Sequence, residues 1–188
     1  MTEASTNGFL YEPSILDKIK LEDWPKTEFK TAISITTPGE GLKMRPLHRD
    51  DHQKGFLTNL AQLTAVGDIS EKEFHDAFDK MKATPNTYYV TVIEDLNKGV
   101  IIGSATLLME QKFIHNCGKR GRIEDVVVSD EYRGKQLGKI LLTALVSLSK
   151  HLDCYKISLD CRDQMIPFYE TLGFVKEPNN GNFMVIRF

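Results

Sequence analysis

Between Arg122 and Asp160 the sequence reads as a β-branched run (RIEDVVV), a charged turn, an amphipathic stretch, and a second strand-like run (CYKISLD). In the amphipathic stretch Leu137, Leu141, Ala144 and Leu148 recur at helical spacing. A strand, a helix and a strand of these lengths fit a crossover between two parallel strands. The apolar run Val126, Val127, Val128 suits a strand buried on both faces, as a parallel pair requires. On its N-terminal side, YYVTVIED and VIIGSATLLME are joined by LNKG, which is a hairpin signal. The combination predicts a mixed α/β sheet, mostly antiparallel, with helices on both faces.

The flanking segments fill in that plan. GLKMRPL reads as a short strand ended by Pro46. HRDDHQKGFLTNLAQLT reads as one helix, with Phe56, Leu57, Leu60 and Leu63 at helical spacing. Ser70 and Glu73 form a capping box in front of a helix that presents Phe74, Phe78 and Met81. PFYETLG reads as a short helix ended by Gly173, and FVKE and NFMVIRF as closing strands around PNNG. Residues 1–40 read as a partly irregular N-terminal arm with a short helix in EPSILDKI capped by Ser14, and Trp24, Phe29 and Ile33 predict that the arm docks. Residues 41–188 form a single domain in this reading.

A chain of 188 residues with 41% hydrophobic and 27% charged side chains has enough apolar surface for one core. The net charge of −2 lacks the basic excess of a nucleic-acid binder, so no nucleic-acid partner is expected. Cys117, Cys154 and Cys161 read as free thiols of a reducing compartment. The N-terminus shows no signal-peptide pattern, and the apolar runs are too short or too charged for a transmembrane segment, so a cytoplasmic protein is expected. No His, Cys or Asp cluster has metal-ligand spacing, so no metal is expected.

The stretch VVVSDEYRGKQLGK places small and basic residues where a strand becomes a helix. The first turn of a helix has backbone N–H groups without intrahelical partners, and its dipole favours an anion. Gly134 and Gly138 let a phosphate approach the main chain, and Arg133, Lys135 and Lys139 add charge. The Walker spacing is not met, because Gly134 and Gly138 are one residue too close, and the dinucleotide fingerprint is absent.

This stretch resembles the acetyl-coenzyme A loop of the GCN5-related N-acetyltransferase (GNAT) superfamily: Gln or Arg, two residues, Gly, one residue, then Gly or Ala. Arg133 and Gly138 match the ends, while Gln136 replaces the middle glycine. FYETLGF, from Phe168 to Phe174, matches a second element of the superfamily, and Met165 stands where many members carry an asparagine. KFIHNCGKRGRIEDVVVSDEYRGKQLGK and CYKISLDC narrow the resemblance to the members that acetylate an amino-sugar phosphate. It runs from about GLKMRPL to Arg187 and is closest over residues 108–160.

The resemblance implies a splayed central pair of parallel strands, acetyl-coenzyme A as co-substrate, and glucosamine 6-phosphate as acetyl acceptor. It implies that Val126, Val127 and Val128 line the pantetheine gap and that Arg133, Gly134, Lys135, Gln136, Leu137, Gly138 and Lys139 hold the pyrophosphate. Tyr169 would protonate the leaving thiolate, and Glu124 and Asp125 would serve the amine, their side chains pointing to opposite faces of the strand. Thr64, Lys112, Phe113, Ile114, His115, Asp160 and Arg187 would contact the sugar phosphate. It further implies a homodimer whose site draws on both chains, with Asp160 crossing over and FMVIRF offering an edge. Two other readings compete: an acetyltransferase for a polyamine or protein lysine, and a non-catalytic module that binds coenzyme A. An anionic acceptor suits the cations Lys112, Arg120, Arg122 and Arg187 better than an amine-rich one, and binding alone needs neither Tyr169 nor the Glu124–Asp125 pair.

Overall fold

A computed structural model describes residues 8–20, 29, 34–179 and 184–186. Strands β1 (Leu42–Pro46), β2 (Tyr88–Asp95), β3 (Val100–Gln111), β4 (Lys119–Val128) and β5 (Cys154–Ser158) form one sheet in the order β1-β2-β3-β4-β5. The first four pair antiparallel, and β4 pairs with β5 in parallel. Helices α1 (Ser14–Asp17), α2 (Phe56–Leu60) and α3 (Glu71–Lys82) come from the first half, a single turn α4 (Ile114–Cys117) joins β3 to β4, and α5 (Leu137–His151) and α6 (Ile166–Glu170) follow. This is the mixed, mostly antiparallel sheet that the sequence predicts.

The crossover helix α5 is buried continuously from Ile140 to Ser149. At Gly121 of β4 a Cβ would lie 3.0 Å from Leu107 of β3, 3.3 Å from Ile157 of β5 and 3.4 Å from Ser149 of α5, so a side chain there would crowd its strand neighbours first. Thr106 and Val90 face the other side and line one cavity with Phe56, Phe74 and Phe78 of α2 and α3. Helices therefore cover both faces.

Several local expectations need correction. Ser14 is the first helical residue of α1, not its cap: Pro13 holds that position and makes no side-chain cap bond. The single helix expected after β1 is broken. A 3₁₀ turn covers Arg49–His52, Gly55 takes a left-handed φ of 75°, and α2 begins at Phe56. The glycine that interrupts the apolar spacing is a true break. FVKE is not a strand, and Met184, Val185 and Ile186 are exposed without strand pairing; residues 180–183 and 187–188 lie outside the described residues. The capping box is present, Ser70 Oγ accepting from the Glu73 N–H while Glu73 accepts from the Ser70 N–H.

The described start of the N-terminal arm docks against the segment that follows β1. Phe9 bridges to His48, the Leu10 N–H donates to the Leu47 carbonyl at 2.9 Å, and Leu10, Tyr11, Leu16 and Ile19 are buried. Phe29 packs against the core; Trp24 and Ile33 lie outside the described residues.

Beneath the arm, buried Arg45 makes a two-pronged contact with Asp51 (2.7 and 2.8 Å) and bonds Glu94 at 2.8 Å, while Lys54 holds the other Glu94 oxygen at 2.6 Å. Burial pushes the Glu94 carboxyl up. The hydrogen bonds and charges of Lys54 and Arg45 outweigh it and hold the carboxyl below its ordinary range. A depressed carboxylate stabilises the fold above its unfolded value, about 4.3 for glutamate, and this contribution is lost as the pH falls through the folded value. Thermal midpoints are therefore expected to drop on acidification below about pH 4.5. Glu94→Gln should make that acid slope shallower; an unchanged slope would contradict the assignment.

Candidate active site

β4 and β5 pair only where Lys119–Arg122 meets Cys154–Ser158. Beyond Arg122, β4 continues to Val128 on β3 alone. The backbone groups of residues 123–128 that face away from β3 have no β5 ladder, so they line an opening in which an amide-bearing chain can complete their hydrogen bonds.

At the head of that opening the strand is irregular. The register runs from Thr106↔Glu124 to Ser104↔Val127, so Asp125 and Val126 together face Ala105, and Asp125 adopts a φ of 52°. This is a β-bulge, a device that re-aims side chains and interrupts pairing. Simple alternation between Glu124 and Asp125 therefore does not run through this point. The two carboxylates do go separate ways. Glu124 is exposed and accepts from Arg122 Nε at 2.6 Å, and Arg122 also pairs with Asp160. Asp125 is also exposed in part, but it lines a cavity of about 330 Å³ between the sheet and α2–α3. Burial, and secondarily the charge of Glu124, push its carboxyl above the ordinary range. Arg122, which joins Glu124 to Asp160, was not among the sequence-derived site residues. The sequence marks it only as one of the cations that suit an anionic acceptor, and its two-residue spacing to Glu124 puts both on one face of a strand.

The turn after β4 leads into the glycine-bearing loop. A 3₁₀ turn covers Asp130–Tyr132, Gly134 has a φ of 80°, and Gln136 caps α5 at φ 60°, ψ 16°. The loop thus keeps a left-handed residue where the superfamily pattern has glycine, although glutamine pays on the order of 1 kcal/mol for it. The first intrahelical bond of α5 runs from the Ile140 N–H to the Gln136 carbonyl, so the N–H groups of Leu137 and Gly138 precede it. The flank is open: a Cβ on Gly134 would meet nothing within 4 Å, and one on Gly138 only Val128 at 3.8 Å. The cations are held at the rim. Arg133 pairs with Asp130, Lys135 Nζ lies 4.8 Å from the Tyr132 ring centroid, and Lys139 Nζ lies 5.5 Å from that of Phe29.

FYETLGF folds as a helix end of the Schellman type. The Gly173 N–H donates to Glu170 and the Phe174 N–H to the Tyr169 carbonyl, with Gly173 at φ 87°. Phe174 closes on Tyr169 at 5.9 Å between ring centroids, and Phe168 flanks it at 5.2 Å. Tyr169 is half-buried, and burial, then the neighbouring Cys161 thiol, push its hydroxyl above the ordinary phenol range. It therefore stays protonated through neutral pH.

Of the other candidate residues, Lys112, Phe113, Ile114 and His115 lie on the β3–β4 connection. Lys112 pairs with Glu110, and Arg120 donates to Ser158 Oγ at 2.8 Å. His115, Asn116 and Cys117 all have φ between 51° and 58°, so α4 winds left-handed and lays His115 on Tyr155 with centroids 4.1 Å apart. Phe113 and Ile114 are exposed. Thr64 is exposed in the turn after α2, with no bond to the Glu124–Arg122–Asp160 cluster among the described residues, and Arg187 lies outside them. No group of three or more His, Cys, Asp or Glu among the described residues is placed to hold a metal, and no described helix is long and apolar enough to cross a membrane.

Comparison with known proteins bears on this geometry. The profile of the acetyltransferase (GNAT) family matches residues 45–174. A probable glucosamine 6-phosphate N-acetyltransferase of Drosophila melanogaster is 49% identical over all of this chain and 85% of its own length. The glucosamine 6-phosphate N-acetyltransferase of Arabidopsis thaliana is 40% identical over 71% of this chain and 90% of its own. The crystal structure of glucosamine-6-phosphate N-acetyltransferase from Arabidopsis thaliana superposes with a TM-score of 0.72 at 37% identity, covering 78% of this chain and 97% of that one.

Proposed function

The chain belongs to the GNAT acetyltransferase family, and from that premise we infer that it transfers acetyl from acetyl-coenzyme A to the 2-amino group of glucosamine 6-phosphate. The product, N-acetylglucosamine 6-phosphate, feeds UDP-N-acetylglucosamine synthesis. The observation that carries the reading is the parting of β4 from β5 directly beside the glycine-bearing loop. The acceptor is inferred from the named relatives, one matching the whole chain and one 71% of it.

In this reading the pyrophosphate of the donor rests on the amides of residues 134–139, where small side chains and rim cations favour an anion. Pantetheine completes the open edge of Val126–Val128. The sugar amine attacks the thioester carbonyl carbon, forming the C–N bond, and the Val126 N–H stabilises the oxyanion. The amine proton leaves by way of the exposed Glu124 carboxylate, while Asp125 holds the bulge. Collapse breaks the C–S bond, and the Tyr169 hydroxyl donates to the departing sulfur. Arg122 and Asp160 orient the sugar ring, Thr64 closes on it, and Lys112, His115 and Arg187 hold its phosphate.

We further propose a homodimer in the cytoplasm, with Asp160 shared across the interface. The consecutive exposed apolar residues Met184, Val185 and Ile186 support it, because a second copy would bury them. Thiol release from acetyl-coenzyme A tests the function. Release is expected with glucosamine 6-phosphate and not with spermidine or a lysine peptide. Faster release with either of those favours the other acetyltransferase reading, and binding of coenzyme A without release favours the non-catalytic one.

A further inference from the structure

Gln62 lies two residues before Thr64 in the turn that ends α2. Its side chain leaves that turn: Oε1 accepts a 3.0 Å hydrogen bond from the backbone N–H of Asp130, 68 residues away. Asp130 opens the 3₁₀ turn that leads into the donor loop. The residue before such a turn ordinarily caps its first N–H groups with a side-chain oxygen. Ser129 stands there with the right hydroxyl and makes no cap bond. The acceptor comes instead from α2. Asp130 in turn pairs with Arg133, the first residue of the loop.

The segment that supplies this cap is short, and the turn that ends it is exposed. α2 spans five residues behind the left-handed Gly55, and the turn after it is closed by the bonds of Gln62 N–H to Asn59 (3.2 Å) and of Leu63 and Thr64 N–H to Leu60 (2.9 and 3.3 Å). A ligand that orders the donor loop fixes the Asp130 N–H, and through it the Gln62 side chain and the turn that carries Thr64. A ligand that orders the Thr64 turn does the reverse.

We propose that Gln62 is a positioning residue that couples the donor and acceptor sites, so that each ligand binds more tightly once the other is in place. This rests on the assignment of Thr64 and of the 133–139 loop made under the proposed function. Coupling of this kind is reciprocal. One net hydrogen bond sets its size at about 2- to 10-fold.

The test is calorimetric titration of the full chain with coenzyme A, with and without saturating N-acetylglucosamine 6-phosphate, and the converse. In the unmodified protein each ligand is expected to lower the other's Kd by the same factor, about 2- to 10-fold. In Gln62→Ala the factor falls to one while the Kd for coenzyme A alone changes by less than about twofold. Gln62→Glu, which keeps an acceptor oxygen, retains the coupling. A factor of one in the unmodified protein overturns the proposal, as does a wild-type factor in Gln62→Ala. So does a weaker binary Kd with the factor unchanged, the signature of a plain loop cap. If the unmodified protein binds neither ligand, the proposed function falls and the coupling with it; binding of both without coupling removes the coupling alone.

Discussion

Tyr169→Phe is expected to lower kcat for acetyl transfer by about a hundredfold or more while the Kd for coenzyme A changes by less than about twofold. The substitution removes one oxygen. The ring contacts with Phe168 and Phe174, and the Schellman bonds that close the helix end, are made by atoms that phenylalanine retains. The fold and the ring packing are therefore preserved, and what is lost is the hydroxyl proposed to donate to the departing sulfur. The raised hydroxyl adds a second signature. A group that titrates above the ordinary phenol value near 10 leaves kcat flat through neutral pH, so any alkaline limb that disappears in Tyr169→Phe must lie above about pH 10. Unchanged turnover in the variant would reject the acid role, and a large loss of coenzyme A affinity would recast Tyr169 as a wall residue.

Gly138→Val is expected to raise the Kd for coenzyme A by at least about a hundredfold, about 2.7 kcal/mol, because the proposed loop site would lose two charge-assisted hydrogen bonds to phosphate. The surroundings make this a clean experiment. A Cβ at Gly138 would meet only Val128, at 3.8 Å, and the φ there is not left-handed. The protein's own packing thus accepts a side chain, at the small cost of a β-branched residue in a first helical turn. Gly134 is a poorer probe, since its φ of 80° adds strain to any substitution. Thermal midpoints close to that of the unmodified protein, together with lost binding, locate the effect in the ligand's approach; normal binding would remove the loop from the donor site.

The parts of this molecule that rest on local chemistry were legible in its sequence. Ser70 and Glu73 cap α3 as their spacing requires, LNKG turns β2 into β3, and Gly173 takes the left-handed position that ends α6. The parallel pair followed from the crossover length. What was not legible depends on contacts far apart in sequence or on backbone geometry that residue type does not announce. The bulge at Asp125 and the left-handed Gln136 occur at residues with no glycine to signal them. Arg122 reaches Asp160, and Gln62 reaches Asp130, only after the sheet and the crossover have set the register. Gly55 is visible in the sequence, but the apolar residues that follow it keep helical spacing, so residue type alone does not show that the glycine breaks the helix.

The donor site is the hinge of the whole account, and calorimetric titration with coenzyme A tests it most directly. Saturable binding at one site per chain is expected, lost in Gly138→Val and kept in Tyr169→Phe. No measurable affinity, or affinity indifferent to Gly138→Val, would contradict it.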